Sequence, residues 1–191
     1  MPFSALSDAT LSVTSSTSAK LQLSMGFLGT KSDAANKAGT INYVNGDVYE
    51  GELRDGKKQG KGVYKYTSGS VYDGEWMDDA RHGTGTITWA SGDVYEGEFV
   101  EGKENGKGTF KWKNGNVYEG EFLDGKRHGS GTMTWASGNV YEGSWAEGKQ
   151  SGKGTMKYAS GGVYEGDWQD GTRQGEGKMK WASGDTYQGE F

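Results

Sequence analysis

Tyrosine recurs at positions 49, 72, 95, 118, 141, 164 and 187, a spacing of 23 residues without a slip. A fixed period of that size means stacked copies of one supersecondary unit, so the unit dictates the fold. Around the tyrosines the chain reads VYEGEL (48–53), VYDGEW (71–76), VYEGEF (94–99 and 117–122), VYEGSW (140–145), VYEGDW (163–168) and TYQGEF (186–191). Between them lies a second block: GKGVYKY (60–66), GTGTITW (83–89), GKGTFKW (106–112), GSGTMTW (129–135), GKGTMKY (152–158) and GEGKMKW (175–181). The register reaches back to Gly39, because GTINYVNGD (39–47) aligns with GTITWASGD (85–93). Residues 39–191 are therefore wholly repeat, and residues 1–38 are not.

Each block alternates with period two, which is the signature of a strand. In the first block Tyr49, Gly51 and Leu53 point one way and Val48, Glu50 and Glu52 the other. In the second, Gly60, Gly62, Tyr64 and Tyr66 oppose Lys61, Val63 and Lys65. The unit is a β-hairpin with an aromatic face and a mainly charged face. Segments such as RDGKKQ (54–59) supply glycine for a left-handed turn, with Asp79 replacing it once, and SGD, SGN or NGN turns link successive hairpins. Fourteen strands follow from 39 to 191, so at ~4.8 Å per neighbour the sheet is roughly 65 Å long. The expected fold is all-β, an elongated twisted single sheet of stacked antiparallel hairpins, in effect a solenoid. With no second layer, its rings must shield each other over the glycines or meet a partner.

Composition narrows the chemistry. Glycine supplies 35 of 191 residues, yet 13% of the chain is aromatic, more than a disordered chain carries. A net charge of −5 and a pI near 5.1 argue against a nucleic-acid surface. Without cysteine, and with only His82 and His128 in equivalent loops two repeats apart, disulfides, thiolate catalysis, zinc clusters and Ser-His-Asp triads drop out. No cofactor, metal or catalytic residue is expected. Glu50 with Glu52, repeated as Glu96 with Glu98 and Glu119 with Glu121, has a same-face spacing that superficially suits glycoside hydrolysis, but a motif repeated in several hairpins is architectural.

Two groups of side chains are candidates for partner contact. The aromatic stripe is the expected core of the rod, and its tryptophans Trp76, Trp89, Trp112, Trp135, Trp145, Trp168 and Trp181 are candidates to line a groove for a partner helix or extended peptide. Beside them the row from Ile41 through Tyr64, Ile87 and Phe110 becomes Met133, Met156 and Met179, flexible side chains suited to an adaptable contact. The hairpins also fall into two alternating types, a superperiod of 46 residues, which sets Lys61, Lys107 and Lys153 and then Lys65, Lys111 and Lys157 on the outer face about every 19 Å. With Lys126, Arg127 and other loop cations these make a candidate anion-binding edge. Against that, residues 39–191 hold 18 basic and 24 acidic side chains, and cross-strand pairs such as Lys65 with Glu50 would neutralise the face.

The pattern YEGEWxxGKxxGxGTxxWxxGD at this period resembles the MORN repeat family (membrane occupation and recognition nexus), over residues 39–191 and seven in-register copies. The resemblance implies an elongated hairpin array without catalysis of its own, acting as a scaffold or adaptor that joins protein partners at a membrane-associated or cytoskeletal structure. Two alternatives accompany it: direct binding of anionic phospholipid (phosphatidic acid or a phosphoinositide), and a regulatory segment of a larger enzyme such as a phosphatidylinositol-phosphate kinase. The array stops at Phe191 on an unreturned strand, so that edge either pairs with a second copy, giving a homodimer, or continues in a longer chain. Residues 1–38, rich in Ser, Thr and Ala, are expected to be disordered, with a candidate capping strand where Leu21, Leu23, Met25 and Phe27 alternate with polar or small residues. The expected location is the cytoplasm, peripheral to a membrane or the cytoskeleton. Organelle import is the lesser alternative, because the segment contains no arginine.

Overall fold

The computed structural model describes residues 21–22 and 35–191. Among the described residues, fifteen strands form one antiparallel sheet in strict chain order. β1 (Leu21–Gln22) and β2 (Lys37–Tyr43) are followed by six hairpins: β3 (Val48–Arg54) with β4 (Lys57–Lys65), β5 (Val71–Met77) with β6 (Ala80–Thr88), and β7 (Val94–Val100) with β8 (Lys103–Lys111). The series continues with β9 (Val117–Leu123) and β10 (Lys126–Thr134), β11 (Val140–Ala146) and β12 (Lys149–Lys157), and β13 (Val163–Gln169) and β14 (Thr172–Lys180). β15 (Thr186–Glu190) ends the sheet, which is not closed into a barrel.

The fourteen strands expected from the repeat are β2 to β15. β1 is additional: it pairs with β2 through Leu21 opposite Tyr43 and Gln22 opposite Asn42. Leu21 and Gln22 fall within the candidate capping strand at 21–27, whose remaining residues lie outside the described ones, as does most of the segment expected to be disordered.

Within each hairpin a two-residue turn carries both residues at positive φ, as at Glu101 (49°) and Gly102 (84°). That is the type I′ turn, whose twist matches that of the flanking strands. Asp79 takes the glycine position at φ 71°, as its tolerance of the left-handed region allows. Just beyond the turn the long strand bulges. In β8 the register passes from Glu98 opposite Asn105 to Gly97 opposite Gly108, leaving Gly106 (φ 60°) and Lys107 as extra residues. The Glu98 carboxylate accepts the displaced Lys107 N–H at 2.9 Å, and Glu52 and Glu121 do the same for Lys61 and Ser130. The repeated glutamates are architectural in this sense.

Glycines face each other across neighbouring strands, Gly51 with Gly62 and Gly97 with Gly108 among them. Each pair lies under a tyrosine of the 23-residue series. A Cβ placed on Gly108 would come within 2.5 Å of the Tyr95 hydroxyl oxygen. The tyrosine hydroxyl then donates to the backbone carbonyl three residues on, as from Tyr95 to Glu98 at 2.9 Å. Tyr49, Tyr72, Tyr95, Tyr118, Tyr141 and Tyr164 have no exposed surface.

The rings themselves supply the missing layer. Tyr72 meets Trp76 and Phe99 edge-on, both at 5.1 Å, and Tyr95 meets Phe99 at 5.1 Å and Phe122 at 5.0 Å. The same interlock continues through Trp145, Trp168 and Phe191. Each T-shaped pair contributes about 1 kcal/mol beyond simple burial. The core is therefore a continuous aromatic seam along one face of a single sheet.

Candidate functional site

Three parallel rows make up the aromatic face, and they divide the candidate tryptophans. Trp76, Trp145 and Trp168 lie in the seam at 4–6% exposure and donate their indole N–H to the carbonyls of Gly62, Gly131 and Gly154. They are core, not groove, because their rings are buried and their one polar atom is already engaged. Trp89, Trp112 and Trp135 occupy a different row with Tyr66 and Tyr158, at the side of the seam, and are half-buried. Trp181 ends that row at 44% exposure. The middle row, Tyr64, Phe110 and the methionines, lies between them; Phe110 stacks against Trp89 at 5.2 Å and tilts onto Trp112 at 4.4 Å.

Over the seam lies a row of cations that periodicity alone does not reveal. The second residue of each long strand is Lys58, Arg81, Glu104, Arg127, Gln150 or Arg173. Lys58 is buried, with Nζ 4.9 Å from the Trp76 ring, 5.1 Å from Tyr64 and 5.5 Å from Tyr43, and pairs with Asp79 at 3.7 Å. Burial pulls its ammonium below the ordinary lysine value. Arg81 lies 5.1 Å over Phe99 and donates to the Gly102 carbonyl. Arg127 lies 4.5 Å over Trp145 and donates to the Gly148 carbonyl at 2.6 Å. Arg173 lies 5.4 Å over both Tyr164 and Phe191.

The candidate basic edge is distributed differently from expectation. Arg127 belongs to the aromatic seam. Lys126 pairs with Glu147 of the next turn, as do Lys57 with Asp78, Lys103 with Asp124 and Lys149 with Asp170. The turn edge is thus a ladder of ion pairs. Lys65 pairs with Glu50 at 2.8 Å and Lys153 with Asp167 at 2.7 Å. Lys61, Lys107, Lys111 and Lys157 are exposed on the polar face.

The polar face carries a groove of about 1220 Å³ from β4 to β11, lined by Asp73, Glu96, Glu119 and Glu142, by Thr86, Thr109 and Thr132, and by Lys61 and Lys107. The backbone of the glycine row forms its floor between the carboxylate columns, while the other side of those glycines lies against the tyrosine rings.

A family model described as MORN repeat matches residues 49–71, 72–94, 95–117, 118–140, 141–163 and 164–186. The chain belongs to the MORN-repeat family. A search of curated proteins finds none that matches this MORN array. Among solved structures, the TCP domain of Drosophila melanogaster SAS-4 (dCPAP), in complex with a proline-rich motif of Ana2 (dSTIL), is 14% identical with a TM-score of 0.50, covering 87% of this chain and 99% of that one. The TCP10 domain of Danio rerio CPAP is 12% identical with a TM-score of 0.31, covering 80% and 83%. At 14% identity the likeness to the SAS-4 domain concerns the fold alone.

In the MORN array the row of Lys58, Arg81, Arg127 and Arg173 had one sequence signal, a column just past the turn in which basic residues recur among otherwise polar ones. Their place over the rings depends on how the bulge aims the strand. No periodic rule supplies that.

Proposed function

We propose that this MORN array is a non-catalytic scaffold that holds an extended segment of a protein partner along its aromatic face. The observation that carries this reading is the row of half-buried Tyr66, Trp89, Trp112, Trp135 and Tyr158, one ring on every second strand, beside a sheet that has no second layer among the described residues. Rings on alternate strands recur about every 9.6 Å along the rod. A polyproline II segment advances about 9.3 Å per three-residue turn, so one turn of such a ligand meets each ring. Pro-rich segments dock on aromatic ladders of this kind, and the SAS-4 TCP domain was solved with a proline-rich motif. Cytoplasmic placement beside a membrane or the cytoskeleton, in this reading, comes through the partner.

Replacing Trp112 and Trp135 with alanine removes two adjacent rings that are not in the tyrosine seam. Capture of polyproline II peptides, measured by titration calorimetry, should weaken at least ~100-fold while the circular dichroism of the sheet persists. Unchanged capture by a folded double variant would sink the proposal.

A further inference from the structure

The six aromatic units of the array are not chemically equivalent. Four place a cation of this chain over their rings: Lys58, Arg81, Arg127 and Arg173. The third has Glu104 at that strand position, with a half-buried side chain for which no hydrogen bond or ion pair is seen among the described residues. Its rings are nevertheless those of a cation site. One superperiod earlier, Tyr43 and Tyr64 lie 5.4 Å apart and Tyr49 and Trp76 5.5 Å apart around Lys58. The corresponding pairs, Trp89 with Phe110 and Tyr95 with Phe122, lie 5.2 Å and 5.0 Å apart.

We infer that the ring set around Glu104 is a receptor site for a guanidinium side chain of a protein partner. The rings offer their negative faces, as the matching rings do to Arg81 and Arg127. Glu104 adds a carboxylate that a guanidinium can meet with two N–H groups. The Gly125 carbonyl lies one repeat from those of Gly102 and Gly148, the acceptors used by Arg81 and Arg127. The absent charge is felt in the seam. Burial raises all three buried hydroxyls, but Arg81 and Arg127 oppose the rise at Tyr72 and Tyr118, whereas Glu104 adds to it at Tyr95. Charge complementarity therefore selects a cation here, and the chain's own pattern selects arginine. The inference rests on the scaffold reading only in taking the source to be a protein.

The probe is N-acetylarginine methylamide, titrated against the full chain and followed by the nuclear magnetic resonances of the Trp89 indole and the Gly125 amide, with the norleucine analogue as neutral control. Saturable shifts centred on those two groups are expected, with the control binding at least ~10-fold more weakly. Glu104→Arg should abolish the shifts while leaving the thermal midpoint unchanged or raised, because it copies the neighbouring units. Glu104→Gln, which keeps the shape, should weaken them ~10-fold. Absence of shifts, equal binding of the neutral analogue, or full binding by folded Glu104→Arg overturns the inference. Polyproline capture that survives such a result leaves the scaffold reading standing, and loss of that capture with the arginine shifts intact does the reverse.

Discussion

Glycine has two unrelated duties in this molecule, and a substitution separates them. At Gly108 the ring of Tyr95 fills the space a side chain would need, with ring carbon Cε2 2.6 Å from the place of a Cβ. That ring is fully buried and hydrogen-bonded to the Glu98 carbonyl, so it cannot retreat. Gly108→Ala should cost about 3 kcal/mol and lower the thermal midpoint by roughly 9 °C. At Gly102 nothing lies within 4 Å and the constraint is φ at 84°. Gly102→Ala should cost only about 1 kcal/mol, and Gly102→Asp less still, as Asp79 shows in its own turn. Differential scanning calorimetry of the three variants would check the ranking. The turn glycines were readable in the sequence, since Asp-Gly between alternating blocks specifies its own geometry. The reason for Gly108 was readable only in outline, as room for a ring, because the ring that fills the space belongs to a neighbouring strand.

Hairpins are joined to one another at both edges as well as through the sheet. On one edge turn side chains take hydrogen bonds from the next linker: Asp93 from the Lys113 N–H, Asn116 from Ala136 and Asn139 from Ala159. Asp47 does most, accepting from the Thr67 amide and hydroxyl, the Tyr64 hydroxyl and the Asn45 amide. Burial works against its charge, but these four donors outweigh burial and hold its carboxyl down to about 2. A carboxyl lowered on folding contributes stability above its unfolded value near 4 and loses it as pH falls toward 2. Asp47→Asn, the residue found at 116 and 139, should therefore flatten the fall in thermal midpoint between about pH 4 and pH 2; an unchanged slope would remove Asp47 from the account. On the other edge, Lys103 with Asp124 and its counterparts run turn to turn. Sequence alone gathers loop cations such as Lys126 into a basic edge, because the acid each lysine meets is not its neighbour in the chain. The partner is the acid 21 residues later, on the following hairpin.

Every strand hydrogen-bonds only to its chain neighbours, and the ring contacts reach only to the next hairpin, which is why the whole architecture could be read from one period. The strand count from residue 39 and the facing follow from nearest-neighbour stacking. Trp76 and Trp89 are legible as different positions of the repeat, but which of their rows is buried, and the groove on the polar face, were not, because both depend on how side chains of neighbouring hairpins fill the space over the sheet. The same independence makes the array divisible. Deleting residues 95–117 rejoins Val94 to Tyr118 in register and should leave a folded sheet whose calorimetric unfolding enthalpy is lower by about 16 kcal/mol. Loss of the cooperative transition altogether would mean that coupling extends beyond neighbours. The ring interlock and the edge ladders all run from one hairpin to the next, at right angles to the strands. A load applied between the two ends of the rod therefore falls on one hairpin at a time and peels it, without shearing the sheet as a whole. Each repeat released lets out 23 residues in place of two strand widths, a gain of roughly 70 Å. Placed between two anchored partners, the rod is a tether that yields by steps and shortens again as its hairpins re-form.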